Sequence, residues 1–275
     1  MASILKRFTA FFLTGILWTA CKKDLKPGMV PNDLVETQPA IQKPVTARIN
    51  GAIGGYYSAL PVHYSETTKS YPLLVFIPGS GQFGNGALDL PEILNDGVAQ
   101  ILDEKKFPPN FTVNGKNFSL IVLTPQFSHY PANDEIASFI DYARKNYRID
   151  ATRIYLSGLS MGGFVTSAFA SEYASLIAAA VPISGVLTSG DLTGRCLKIA
   201  QGNLAIWVFH NTEDPTINSS DSMEFVSMIN NDHPSIPARL TLFKASVHDA
   251  WTKAIDPAFR ENNMNIYEWM LQYSK

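Results

Sequence analysis

From residue 46 onward the chain alternates short apolar runs with segments in which apolar residues recur at helical spacing. The runs predict strands at Tyr56–Tyr64, Leu73–Ile77, Leu120–Thr124, Arg153–Ser157, Ala178–Ile183, Leu204–Phe209 and Leu240–Phe243. Most are continuously apolar, Leu-Leu-Val-Phe-Ile at 73–77 among them, which suits a parallel sheet covered on both faces. Tyr56–Tyr64 alternates instead, as an antiparallel edge does. Between them, Asn133–Asn146 puts Ile136, Phe139, Ile140 and Ala143 at helical spacing, Met161–Tyr173 is rich in small residues, and Met223–Ile229 and Asn262–Tyr273 repeat the helical period. No repeat in the range of roughly 20 to 50 residues is present. Such alternation predicts the α/β class: one domain, 46–275, with a mostly parallel doubly wound sheet and helices on both faces. Ligands of such sheets bind beyond the carboxyl ends of the strands, which places function in the loops after residues 77, 157, 209 and 243.

Composition narrows the possibilities. With 275 residues, 46% of them hydrophobic, the chain is long enough to bury a core without disulfides or a metal. Lysine plus arginine number 22 against 24 acidic residues, and no basic run exceeds pairs such as Lys22-Lys23, so no nucleic-acid partner is expected.

The first twenty residues read as an export signal: Lys6 and Arg7 precede a run from Phe8 to Ala20 that is too short to span a bilayer. Trp18-Thr19-Ala20-Cys21 resembles the lipobox of bacterial lipoproteins, although Trp18 stands where an aliphatic residue is usual. That resemblance implies cleavage before Cys21, a lipid anchor on it, and residence at the outer membrane, on its periplasmic face or at the cell surface. The alternatives are a soluble periplasmic protein and, more weakly, an uncleaved anchor. The only other cysteine, Cys196, is then left as a lone buried thiol. Residues 21–45 carry Pro27, Pro31, Pro39 and Pro44 among polar residues and read as an extended tether.

After the strand at 153–157 comes Gly158-Leu159-Ser160-Met161-Gly162-Gly163, directly before a helical segment. A serine on a tight strand-to-helix turn needs neighbours without bulk so that helix can pass strand, and Gly158 and Gly162 provide them. The competing reading, a glycine-rich nucleotide-binding turn, lacks its G-x-G-x-x-G pattern. A serine hydroxyl barely ionises at neutral pH, so it needs a general base, and the base needs an acid to fix its tautomer. On such an elbow the chain order is Ser, acid, His. Of five histidines, His63 and His129 precede Ser160, and His210 and His233 lie before the last strand. Only His248 follows that strand. The acid is expected after Leu204–Phe209, where Asp214, held by Pro215, is preferred and Glu213 is the reserve, while Asp249 reads as a helix cap.

From about residue 55 to its end the chain resembles the α/β-hydrolase superfamily, near esterases of the dienelactone hydrolase, feruloyl esterase and polyhydroxybutyrate depolymerase types. The resemblance rests on Phe76-Ile77-Pro78-Gly79-Ser80-Gly81, on Arg153 to Gly163 and on His248-Asp249-Ala250-Trp251. It implies an oxyanion hole made by the backbone N–H groups of Met161 and of Ser80 or Gly81. Where those relatives have His-Gly, this chain has Pro78-Gly79 and His210-Asn211. Asn211 is expected to keep the second turn by tolerating positive φ. The activity implied is a serine carboxylic-ester hydrolase of the Ser160, Asp214, His248 type, working through an acyl-enzyme on short acyl or carbohydrate-linked acetyl or feruloyl esters. Neither cofactor nor metal is expected. Specificity is placed in Gln82–Gly97 and Gly185–Asn203, with Gln82 in the pocket and Trp251 either a wall beside His248 or plain core. The rival activities are a serine peptidase and a surface lipoprotein that binds without turnover.

Overall fold

The computed structural model describes residues 30–275, so the expected export signal and the expected lipid attachment at Cys21 lie outside the described residues. Eight strands form the main sheet: β1 (Ile41–Thr46), β2 (Ile53–Leu60), β3 (Tyr71–Ile77), β6 (Ile121–Phe127), β7 (Ile149–Leu159), β8 (Ala179–Ile183), β9 (Ala205–Asn211) and β10 (Arg239–Phe243). The short hairpin of β4 (Phe111–Val113) and β5 (Lys116–Phe118) stands apart. The sheet order is β1-β2-β6-β3-β7-β8-β9-β10, antiparallel at β1/β2 and β2/β6 and parallel from β6 to β10. The helices are α1 (Gly97–Asp103), α2 (Asn133–Asn146), α3 (Met161–Glu172), α4 (Leu192–Gln201), α5 (Ser219–Asn231), α6 (Trp251–Ala254) and α7 (Ile266–Met270).

The apolar runs are continuous because both faces of the sheet are covered. In β3, Leu73, Val75 and Ile77 join one core with Phe139, Ile140, Val165, Phe169, Ile199 and Phe225, whereas Leu74 and Phe76 point into a second with Val98, Trp207, Trp251 and Trp269. Burying a residue of this size contributes about 1.5–3 kcal/mol, so each strand residue works for one core or the other.

Several elements differ from the expectations. Strand β2 begins at Ile53 and stops at Leu60, because Pro61 and a 3-10 turn at Tyr64–Glu66 follow it. Strand β6 runs on through Pro125, which is tolerated because its pairing with β3 ends at Leu123. Part of the expected tether is folded: β1 starts at Ile41, within 21–45, and pairs with β2 from Ile41↔Leu60 to Thr46↔Gly55. Pro44 fits there because an edge strand needs fewer donors. Upstream, Val30 N–H donates to Glu66 O (2.8 Å), and buried Glu36 accepts from the His63 backbone N–H (3.2 Å) and ring Nδ1 (2.8 Å). At the other terminus, Lys275 N–H donates to Thr152 O (2.9 Å). Within Gly185–Asn203, expected as a specificity insertion, Leu192–Gln201 folds as α4 and packs through Cys196, Ile199 and Ala200 against the first core. Cys196 is buried there, which pushes its thiol up to about 11.

Candidate active site

Ser160 sits between β7 and α3 with φ 53° and ψ −117°, a conformation that costs of order 1–3 kcal/mol and persists only where the surroundings impose it. They do so here by close approach. A Cβ at Gly158 would lie 2.5 Å from the Gly162 carbonyl oxygen, and one at Gly162 would lie 2.1 Å from that of Ile77. The Ser160 N–H donates to Ile183 O (2.8 Å) and its carbonyl accepts from Gly163 (2.9 Å), clamping the turn between β8 and its own helix.

The loop after β10 brings His248 to this turn. Its Nε2 lies 2.8 Å from Ser160 Oγ and its Nδ1 2.7 Å from Asp214 Oδ2. A carboxylate only accepts, so Nδ1 carries the proton and Nε2 is left to accept from the serine hydroxyl. The Asp214 side chain is fully buried and its Oδ1 accepts from the backbone N–H groups of Thr216 (2.8 Å) and Ile217 (3.1 Å). Burial pushes its carboxyl up, but the His248 bond and the two backbone bonds outweigh that and hold it below the ordinary carboxylate value. Glu213 is exposed and meets His248 in no hydrogen bond, and Asp249 accepts from Thr252 N–H (2.9 Å) near the start of α6.

Asn211 does not act through positive φ. It ends β9, and its side-chain amide donates to the Val247 carbonyl (2.8 Å), tying the acid strand to the residue before His248. His210, given no role by sequence, is buried behind the acid. Its Nδ1 accepts from Ser222 Oγ (2.7 Å), while Nε2–H donates to Ile217 O (3.1 Å) and faces Asp214 Oδ2 at 3.4 Å. Burial lowers the basicity of this ring, so it stays a neutral brace for the 214–217 turn.

Two clefts flank Ser160. One, of about 340 Å³, lies between the Gly79–Gln82 turn, Asn95, Asp96, His248 and Trp251. Gly79 packs so close that a Cβ on it would be 3.7 Å from Ser160 Cβ. Met161 N–H, at the first position of α3, has no intrahelical acceptor, and Ser80 opens the neighbouring 3-10 turn. Gln82 lines this cleft but its amide is engaged, accepting from Gly79 N–H (3.1 Å) and donating to Ile93 O (3.0 Å). Trp251 is both wall and core: 8% exposed, it lies edge-on to His248 at 5.1 Å and donates through Nε1 to Asp96 Oδ2 (2.8 Å). The second cleft, open and about 520 Å³, is apolar and lined by Tyr130, Met161, Phe164 and Ile217. Among the described residues no three His, Cys, Asp or Glu side chains gather as a metal site.

A mostly parallel sheet of this order, with a serine elbow after one strand and a histidine–carboxylate pair brought to it from two others, is an α/β-hydrolase. The chain belongs within it to the Phospholipase/Carboxylesterase family, whose profile matches residues 107–258, more than half of its length. It is 39% identical over 134 residues to a bifunctional acetylxylan esterase/xylanase of Neocallimastix patriciarum, covering 49% of this chain and 17% of that one. It is 29% identical over 122 residues to a poly(3-hydroxyalkanoate) depolymerase of Paucimonas lemoignei, covering 36% and 30%. The chain thus spans less than a third of the length of these curated relatives. Its fold matches the fluorophosphonate-binding serine hydrolase F of Staphylococcus aureus with a TM-score of 0.60 at 17% identity, over 85% of this chain and 99% of that one.

Proposed function

We propose that the protein is a serine carboxylesterase in which Ser160 is the nucleophile, His248 the general base and Asp214 its orienting acid. The observation that carries this reading is the unbroken chain of hydrogen bonds, 2.8 Å from serine to imidazole and 2.7 Å from imidazole to carboxylate. His248 Nε2 takes the proton as Ser160 Oγ attacks the ester carbonyl, a transfer worth about 10²–10⁴ in rate. Oxygen gains charge as the tetrahedral adduct forms, and the N–H groups of Met161 and of Ser80 or Gly81 receive it. One such donor is worth about 2.7–4 kcal/mol. The imidazolium returns its proton to the departing alkoxide, leaving an acyl-enzyme, and a water activated by the same imidazole then releases the acid.

The acetylxylan esterase relative favours an acetyl ester carried on a carbohydrate. Export and a lipid anchor on Cys21 complete the proposal on sequence alone. The same array attacks amides, so the test compares both substrates. A fluorophosphonate probe is expected to label Ser160, with turnover of 4-nitrophenyl acetate that Ser160→Ala abolishes. Amide turnover without ester turnover makes the protein a peptidase, and a folded protein with neither label nor turnover sinks the proposal for a binding role.

A further inference from the structure

The two clefts that meet at Ser160 differ in chemistry, and an ester has two different ends. One cleft is lined by Tyr130, Met161, Phe164 and Ile217 and offers almost nothing polar. The other is lined by Asp96 together with Ser160 and His248. Asp96 lies within the 82–97 segment, and its two oxygens are fixed: Oδ2 accepts from the Trp251 indole and Oδ1 from Gly97 N–H, both at 2.8 Å. A carboxylate has about four acceptor positions, so two have no hydrogen-bond partner in the protein. Burial raises its carboxyl above the ordinary value, its bonds to Gly97 and Trp251 oppose that, and the like charge of Asp249 adds to the rise. Of the other polar side chains here, the Gln82 amide is committed to Gly79 and Ile93 and the Asn95 amide donates to Glu92 Oε2 (2.7 Å), while Ser80 is an exposed hydroxyl beside them.

We infer that the cleft at Asp96 is a hydroxyl-binding subsite, which takes a neutral polyhydroxylated alcohol moiety of the ester while the apolar cleft takes the acyl group. This deepens the esterase reading and rests on it. An acceptor-only group short of donors, with a second negative charge nearby, rewards ligand O–H groups and repels carboxylates and phosphates. Trp251 is 8% exposed with its ring set against His248, so it presents no open aromatic face to a quaternary ammonium, whose methyl groups also cannot donate an N–H to Asp96. A hydrogen bond to a charged acceptor changes affinity by roughly ten- to a hundredfold.

The test compares kcat/KM for three acetates with the full chain: a monoacetate of methyl β-xyloside, cyclohexyl acetate, which has a ring of similar size without hydroxyls, and acetylcholine. Wild type is expected to favour the xyloside ester over cyclohexyl acetate by about ten- to a hundredfold, mostly through KM. In Asp96→Ser, whose hydroxyl still caps α1, that ratio is expected to fall to about threefold or less, whatever the absolute rates. Asp96→Asn, of equal size, is expected to move the ratio the same way and serves if the serine variant does not fold. Equal turnover of the two ring esters by wild type, a preference for acetylcholine, or an undiminished ratio in a folded Asp96 variant overturns the subsite. Loss of all three turnovers together with no label on Ser160 sinks the esterase reading instead.

Discussion

Replacing Asp214 with asparagine separates its charge and acceptor capacity from its shape. In the native site four lone-pair positions serve three donors: Oδ1 takes the N–H groups of Thr216 and Ile217, and Oδ2 takes His248 Nδ1–H. Asparagine keeps one acceptor oxygen. Two backbone N–H groups in a fixed turn hold that oxygen, so the new NH₂ faces His248 Nδ1, which must then accept. The imidazole proton moves to Nε2 and meets Ser160 Oγ across 2.8 Å, where a lone pair is needed. The same change of tautomer in a serine protease costs about 10⁴ in kcat, which is roughly 5.4 kcal/mol at 1.36 kcal/mol per decade. The assay is kcat for 4-nitrophenyl acetate, with circular dichroism to show that Asp214→Asn remains folded. Glu213→Gln, altering an exposed residue, is expected to stay within about threefold of wild type. A loss of less than tenfold in Asp214→Asn, or an equal loss in Glu213→Gln, refutes the assignment.

Gly162→Ala is expected to be far worse than an ordinary glycine change in a helix, because its Cβ would sit 2.1 Å from the Ile77 carbonyl oxygen with only backbone to move; soluble protein with wild-type turnover would contradict the packing of the elbow. Two histidines are expected to titrate on opposite sides of the ordinary imidazole value near 6.5 when followed by NMR. His63, raised by its bond to Glu36, stabilises the fold fully below that value and loses the contribution as pH rises through its own higher one. His210, lowered by burial, destabilises the fold as pH falls below 6.5, where the unfolded chain takes up a proton that the native ring refuses. Reversed titration order would refute both environments.

The elbow was legible because all its requirements are local: the end of a strand, three glycines and the start of a helix lie within eleven contiguous residues, Arg153 to Gly163. His248 and Asp214 followed from strand positions, since parallel strands deliver their loops to one edge. What escaped is carried by distant pairs. Asn211 meets Val247 across 36 residues and Asp96 meets Trp251 across 155, and no spacing rule links them. Strand β1 escaped because an edge strand with Ile41 half exposed and Pro44 inside shows neither alternation nor a continuous apolar run. Helix α4 escaped because its buried stripe is small, Cys196 with Ile199 and Ala200, and its cap is Asp191 bonding Gly194 N–H (2.9 Å).

The pinning of Val30 to Glu66 and of Lys275 to Thr152 decides how the molecule is oriented when something holds it. Glu66 leads into β3 and Thr152 lies in the first half of β7, so both attachments are at the amino ends of strands whose carboxyl ends carry Ser80 and Ser160. Val30 and Lys275 themselves are therefore held at the edge of the sheet opposite the one that carries Ser160. A bead or fusion partner joined directly at either residue pulls from the side away from the cleft and leaves its mouth uncovered.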